Sequence, residues 1–413
     1  MESNRLTRRN FVKLSGAASI LGVAGLAGCG NSSSSSAGSS ESSSTEGAFK
    51  LGHIGPLTGA AALYGEATNN GAQLAIDEIN AAGGAVTFDF NSQDDEHDAE
   101  KSVNAYNNLK DWGLQVLVGC TTTSPCVAVT AETNSDNCFQ LTPSASSNDV
   151  IGGQEDSDGN VTVARKDNVY QMCFTDPNQG TASAQYLKSK GLGTKIAVIY
   201  NNSDAYSTGI YKKFEAEAAE QGLEIVSTTT FTDDSATDFS VQLNDAKNAG
   251  ADLIFLPIYY TPAALILKQA NDMGYKDVKY FGCDGLDGIL TVEGFDTELA
   301  EGVMLLTPFV ATATDEKTQA FTKAYNEAYG SDPIQFAADA YDCVYVIAEL
   351  LEQTGCTSDM SASDICDKLK AAICDGYSYS GLTGENMTWS DTGEVSKEPK
   401  GMVITDGVYQ PLD

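Results

Sequence analysis

From residue 48 the apolar positions fall into short runs of two alternating kinds. The stretch "FKLGHIG", 49–55, reads as a strand. In "NNGAQLAIDEINAAGG" the residues Ala72, Ala75, Ile76 and Ile79 share one face at helical spacing, and Gly83 and Gly84 end the pattern. "AVTFDF" alternates through Val86, Phe88 and Phe90 and predicts a strand. "AEKSVNAYNNLKDWG" predicts a helix and "LQVLVG" a buried strand. "SPCVAVTAETNS" predicts a helix with Ser124 as N-cap and Pro125 at the first helical position, and "CFQLTPS" returns to a strand.

The rhythm restarts at "TKIAVIY", 194–200. Helix "TGIYKKFEAEAAEQG", strand "LEIVSTTTF", helix "DFSVQLNDAKNAG", strand "ADLIFLPI", helix "TPAALILKQANDMG" and strand "VKYFGC" follow. Strand–helix alternation over this length predicts an α/β fold with doubly wound parallel sheets in two lobes. The Asp/Gly-rich stretch 152–168 separates the two runs as a surface loop or insertion. Helices near 315–330, 334–354 and 361–375 must complete one of the lobes.

In open α/β sheets ligands bind beyond the carboxyl ends of the strands. The corresponding loops are 55–65, 119–124, 142–147, 201–208, 258–262 and 282–287. They carry hydroxyls, tyrosines and an occasional acid, with almost no Lys or Arg. The first, "GPLTGAAALYG", lacks the lysine of a phosphate-binding P-loop. Its glycines, Gly55, Gly59 and Gly65 after Gly52 in the strand, miss the dinucleotide spacing. A phosphate ligand is therefore not expected.

The first 47 residues have a different composition. Arg5, Arg8, Arg9 and Lys13 precede the small and apolar run 14–28, which is too short for a comfortable membrane span and reads as an export signal. "TRRNFVK" resembles a twin-arginine signal, and an ordinary export route fits the pattern as well. "LAGC", 26–29, resembles a lipobox whose cysteine, Cys29, would be lipidated. Gly30 to Gly47 is rich in serine and glycine and reads as a flexible tether to a membrane.

The formal net charge is −33, and becomes −36 without residues 1–28, which carry four cations against Glu2. Such a surface repels phosphate backbones, which argues against nucleic acid as a partner. Nine cysteines remain when Cys29 is set aside, so at least one is free or pairs between chains. Cys356, Cys366 and Cys374 are the local disulfide candidates. The two histidines, His53 in a predicted strand and His97 in an acidic loop, and the lack of any CxxC pair make zinc a poor fit. No metal and no cofactor are expected.

"IGPLTGAAALYGEATNNGAQLAIDEINAAGG", "LVGCTTTSP", "LTPSASS", "VIYNNSDAYSTG", "LPIYYTPAALILKQA" and "YFGCDGLDG" resemble, in order, motifs of the branched-chain amino acid binding proteins. These are the solute-binding subunits of ABC importers, of the type I periplasmic binding protein family. The resemblance spans nearly all of 48–413. It implies two lobes, 48–174 with 308–398 and 175–307 with 399–413, joined by crossings near 173–177, 307–308 and 398–401. It also implies hinged closure on a ligand. Thr123 matches the hydroxyl that binds the ligand carboxylate, beside a helix N-terminus that favours an anion. Ser144 and Ser146 match the next loop, where a backbone carbonyl and a hydroxyl hold the amino and carboxylate groups. Tyr64 matches an aromatic wall. Asp284 matches the acid that pairs with the ligand ammonium, at a position where the family often has glutamate. Tyr206 and Tyr260 match cleft tyrosines, with Tyr259 taking the place of Tyr260 if the register slips by one.

The reading that results is a monomeric, lipid-anchored extracytoplasmic receptor that passes an amino acid to an ABC permease and catalyses nothing. A sensory protein of the same fold and a receptor for a small amide such as urea are the alternatives. An exported hydrolase lacks a GxSxG or HExxH setting for either histidine.

Overall fold

The computed structural model describes residues 47–155 and 160–412. The export signal, Cys29 and the tether up to residue 46 lie outside the described residues, as do four positions of the 152–168 stretch. Among the described residues no helix is long and apolar enough to cross a membrane.

The first sheet is built from β1 (Phe49–Gly55), β2 (Phe88–Asp94), β3 (Val116–Gly119) and β4 (Phe139–Thr142). A small antiparallel pair, β5 (Gln154–Glu155) and β6 (Val161–Val163), interrupts the chain before β7 (Val169–Gln171) completes that sheet. Its order is β2-β1-β3-β4-β7, and every pairing is parallel. The central strands are continuous apolar runs because helices cover both faces. Helices α1 (Ala62–Ala82) and α2 (Ala99–Trp112) follow β1 and β2, α3 (Thr123–Asp136) follows β3, and the short α4 (Asn148–Ile151) follows β4.

The chain then builds a second sheet from β8 (Lys195–Asn201), β9 (Glu224–Phe231), β10 (Leu253–Leu256), β11 (Lys279–Gly282) and β12 (Met304–Thr307). Helices α5 (Asp176–Lys190), α6 (Ala205–Gln221), α7 (Ser240–Asn248) and α8 (Tyr260–Asp272) surround it. Leu187, Ile210 and Phe214 close one face over Val198 and Phe255, while Leu243, Ile266 and Leu267 close the other over Ile254 and Leu256. The chain goes back to the first lobe as α9 (Glu316–Tyr329), α10 (Gln335–Gln353) and α11 (Ala362–Ile373). It ends in the second sheet as β13 (Lys400–Thr405) and β14 (Val408–Pro411). The second sheet runs β14-β13-β12-β11-β10-β8-β9, with β13 and β14 antiparallel to their neighbours. The chain thus passes three times between two doubly wound lobes.

Helices α1 and α10 lie against each other so closely that a Cβ on Gly71 would overlap the backbone carbonyl of Ala337. Only glycine allows that approach. Between α10 and the segment leading into β13, Lys397 Nζ and Asp339 Oδ1 form an ion pair of 2.8 Å, with both side chains buried. Lys397 also donates to Thr383 Oγ1 at 2.7 Å, so the buried charge is not left on one partner alone.

Several local expectations change. Helix α1 starts at Ala62, ten residues ahead of its first patterned position Ala72, so the loop after β1 is short and Tyr64 sits in a helical first turn. No side chain caps this end, which explains why no start signal was legible. Gly65 is required there because a Cβ would overlap the backbone of Pro56. Strand β2 starts at Phe88 and runs on through polar Asn91–Asp94; as an edge strand it has one pairing partner and a half-exposed face. Helix α3 begins at Thr123 with Thr122 as N-cap, and Ser124 lies inside the first turn with its hydroxyl given to Asp204 Oδ1 at 3.1 Å. Pro125 is tolerated because the first turn has no intrahelical acceptor for its missing N–H.

All nine described cysteines are free, contrary to the expected local disulfide. Cys366 faces the core of α11, Cys356 meets Thr354 Oγ1 at 3.2 Å, and Cys374 donates to Ser390 O at 3.5 Å. The three thiols point to different partners. The 152–168 stretch is more than a loop: it carries the β5–β6 pair and is fastened by Arg165, which donates to Ile151 O and Val169 O at 3.0 Å each.

Candidate functional site

The loop after β1 has its backbone already engaged. Asp94 accepts from Leu57 N at 2.8 Å and from Thr58 Oγ1 at 2.6 Å. Although burial works in the other direction, these hydrogen bonds and one from Glu96 N hold the Asp94 carboxyl below its ordinary range. The glycine-rich turn is therefore a fastened loop, and what it delivers to the cleft is Tyr64.

Tyr64 is fully buried between the lobes. Its hydroxyl donates to Gly285 O and accepts from Tyr260 N at 3.2 Å. Its ring lies 4.3 Å from Phe336, 4.8 Å from Tyr260 and 5.4 Å from Tyr259, centroid to centroid. Tyr260 answers from the other side, its hydroxyl accepting from Leu63 N at 3.2 Å. One apolar cluster runs across the cleft, from Tyr64 and Ala67 of α1 to Leu286 and Ile289 of the second lobe. The lobes are closed on each other.

On the first lobe, the ends of β3 and β4 bring Thr123, Ser144 and Ser146 together. Ser146 N donates to Thr123 Oγ1 at 3.2 Å, and Ser144 Oγ donates to Thr121 O at 2.6 Å. The Ser144 hydroxyl is thus committed to the loop itself. The Ser146 hydroxyl is fully buried and makes no hydrogen bond. Thr123 opens α3, so its side chain sits among the free N–H groups of that helix.

On the second lobe, Asp284 is held from two sides. Tyr206 Oη donates to Oδ1 at 2.7 Å and Gln179 Nε2 to Oδ2 at 2.9 Å. Burial nonetheless pushes its carboxyl up to about 7. Asp287, three residues further on and just past a 3₁₀ turn, accepts from Gln335 N at 2.8 Å and is pushed up by burial to about 6. Asp204, the N-cap of α6, accepts from Ser207 N and Ser124 Oγ, each at 3.1 Å. Its carboxyl is raised by burial against the pull of nearby His97.

The sequence reading thus placed its residues in one cleft: Thr123, Ser144 and Ser146 on one wall, Tyr206 and Asp284 on the other, Tyr64 and Tyr260 spanning them. It underrated Tyr259. That ring stacks on Tyr206 at 4.9 Å and meets His97 edge-on at 5.6 Å, in addition to Tyr64. Tyr260 instead serves the interlobe contact. His97, read as an unremarkable loop residue, reaches Thr122 Oγ1 at 2.9 Å and borders the cleft. Asp176, Gln179 and Gln335 were not singled out at all. Gln179 and Asp284 exchange two hydrogen bonds across 105 positions, and no local pattern reports such a pairing.

The chain and its fold match known proteins. A family model described as "Periplasmic binding protein" matches residues 48–403. The "Leu/Ile/Val-binding protein homolog 3" of Brucella melitensis is 27% identical over 352 residues, covering 84% of this chain and 88% of that protein. The branched-chain amino acid transporter substrate binding protein LivJ of Streptococcus pneumoniae, solved with isoleucine, superposes with a TM-score of 0.75 at 27% identity, over 88% of this chain and 98% of that one. An ABC-transporter solute binding protein of R. palustris, solved with benzoate, superposes with a TM-score of 0.74 at 19% identity, over 89% and 96%. That last likeness is one of fold alone. With two doubly wound lobes closed over a cleft of hydroxyls, tyrosines and acids, and a family match over most of its length, this chain belongs to the periplasmic binding protein family.

Proposed function

We propose that the protein is an extracytoplasmic receptor that captures a small amino acid, of the size of leucine or isoleucine, between its lobes and presents it to an ABC permease. The observation that carries this reading is the polarity of the cleft. Hydroxyls and a helix N-terminus at Thr123 and Ser146 face a buried acid, Asp284, on the other lobe. In this reading Thr123 and Ser146 hold the ligand carboxylate, the Ser144 backbone carbonyl and Asp284 hold the ammonium, and Tyr64, Tyr206, Tyr259 and Tyr260 enclose it. The relatives named for leucine, isoleucine and valine support an amino acid ligand. The lobes are assigned as 48–174 with 308–398 and 175–307 with 399–413, in keeping with sheet membership. Nothing in this work of binding requires a metal, a cofactor or a second copy of the chain.

Thermal unfolding of the purified body, 48–413, against amino acids and small amides tests the reading. A true ligand at 100 times its Kd should stabilise by about 2.7 kcal/mol. Stabilisation by urea or acetamide with none by any amino acid would overturn it.

The anchor belongs to the same proposal. "LAGC" at the end of the apolar run, followed by a serine-rich tether, supports lipidation of Cys29 after removal of 1–28. Mass spectrometry of the native mature protein should find acylated Cys29 as the first residue; an unmodified Cys29 thiol would remove the anchor from the picture.

A further inference from the structure

Asp176 opens α5, immediately after the first passage between the lobes. Its backbone N donates to Ser146 O at 2.9 Å, which ties it to the first lobe. Its carboxylate lies against α6 of the second lobe, where a Cβ on Gly209 would come within 2.6 Å of Oδ2. The residue is 1% exposed, and neither carboxylate oxygen has a hydrogen-bond partner. The fully buried Ser146 hydroxyl, also without one, adjoins it and acts to lower its titration, although burial dominates and drives the Asp176 carboxyl well up. Asp284, Asp204 and the Tyr259 ring lie within electrostatic reach. No Lys or Arg is hydrogen-bonded or ion-paired to Asp176, Asp204 or Asp284 among the described residues.

The two acids differ in what they already hold. Each oxygen of Asp284 has a protein donor at hydrogen-bond distance, whereas Asp176 has only the adjoining Ser146 hydroxyl near it and no bonded donor on either oxygen. A zwitterion brings no net charge to the cleft, and an aliphatic side chain would bury those acceptors with nothing to bond. We propose that the Asp176 carboxyl, next to the hydroxyl that holds the ligand carboxylate, forms a second polar subsite, which takes a side-chain nitrogen of a leucine-sized amino acid: an amide N–H, as in asparagine or glutamine, or a side-chain ammonium, as in 2,4-diaminobutyrate. This rests on the amino acid reading of the cleft and narrows it. Discrimination of this kind is steep, because a site built to bond a nitrogen leaves its own buried acceptors unpaired when an apolar isostere enters.

Calorimetry on the mature protein with leucine, isoleucine, asparagine, glutamine and 2,4-diaminobutyrate tests the subsite. At least one nitrogen-bearing ligand should bind about tenfold or more tighter than leucine. Asp176→Ala should lower that preference by about tenfold. Asp176→Asn keeps the shape should the alanine variant not fold. It should weaken the ammonium ligand strongly and the amide mildly, which separates the two chemistries. Leucine or isoleucine binding tightest would overturn the subsite while leaving the receptor reading intact. So would an Asp176→Ala variant that weakens leucine as much as the nitrogen ligands, since Asp176 would then receive the α-ammonium. If none of the five binds, the subsite fails, and the receptor reading fails with it only where the amino acid and amide screen above also finds no amino acid.

Discussion

Tyr206 Oη stands 2.7 Å from Asp284 Oδ1 and also accepts the N–H of Gly285 at 2.9 Å, so one hydroxyl fixes both the carboxylate and the backbone beneath it. The carboxylate is thereby fixed in the orientation on which the proposed ammonium contact depends.

Asp284→Asn keeps that shape and removes the charge. Losing one partner of a buried charge pair costs about 2–5 kcal/mol. At 1.4 kcal/mol per tenfold this is roughly 30- to several thousand-fold in affinity for an amino acid. A deaminated analogue should be spared. Calorimetry with both ligands checks the assignment; equal amino acid affinity in variant and wild type would refute it.

Thr123→Ala removes a neutral hydroxyl that would donate to the ligand carboxylate. The expected loss is about 1.5–3 kcal/mol, smaller than for Asp284→Asn. Because Thr123 Oγ1 also accepts from Ser146 N, the free protein should melt slightly lower too. An unaltered Kd would place the ligand carboxylate elsewhere.

Tyr64→Phe tests closure. The tyrosine hydroxyl connects the lobes through Gly285 O and Tyr260 N, and its loss leaves both groups buried and unpaired. The variant should shift toward an open state, with a larger radius of gyration by small-angle scattering, and bind its ligand more weakly. A profile identical to wild type, with and without ligand, would argue against these contacts as the latch.

Acid dependence follows from the raised carboxyls. Asp284, at about 7, and Asp287, at about 6, are charged in the unfolded chain well below those values. Folding therefore favours their protonated forms. The associated stability is fully present below about pH 4 and is lost as pH rises to about 7. Asp94 and Asp252, whose carboxyls are held low, act in the opposite sense below pH 4. The ligand-free protein should thus be most stable near pH 4–5, as thermal unfolding from pH 3 to 8 would report. Ligand binding to the charged Asp284 should weaken below pH 7 by up to about tenfold per unit, and Asp284→Asn should flatten that profile.

Gly71→Ala adds one methyl at the contact of α1 with α10. The methyl meets the backbone carbonyl of Ala337 rather than a flexible side chain, so the helices must part. A cost of about 1–3 kcal/mol is expected, despite alanine's better helix propensity. A rise in melting temperature would contradict the close approach.

The lobes and their alternation were legible because both sheets are parallel and buried on two faces, which turns strands such as Val116–Gly119 and Leu253–Leu256 into plain apolar runs. That Thr123, Ser146 and Asp284 come together was legible because they follow strand ends, where an open α/β sheet gathers its loops. The start of α1 was not, because Ala61 gives no capping signal. The role of Asp176 was not, because its neighbours Ser146 and Gly209 come from distant parts of the chain. Tyr259 and Tyr260 are adjacent, and only the placement of α8 decides that the first ring meets Tyr206 and His97 while the second reaches back to Leu63.

The last strands have a consequence for how the chain is made. Strand β12 sits between β11 and β13, and β13 is supplied by residues 400–405, made only after the return through α9–α11. During synthesis β12 exposes an unpaired edge for nearly a hundred residues, while the whole return through α9–α11 is produced. An open edge of that kind invites wrong partners. The second sheet can be completed only once residues 400–405 have been made, so a nascent chain stalled or clipped before residue 400 should aggregate rather than persist half-built.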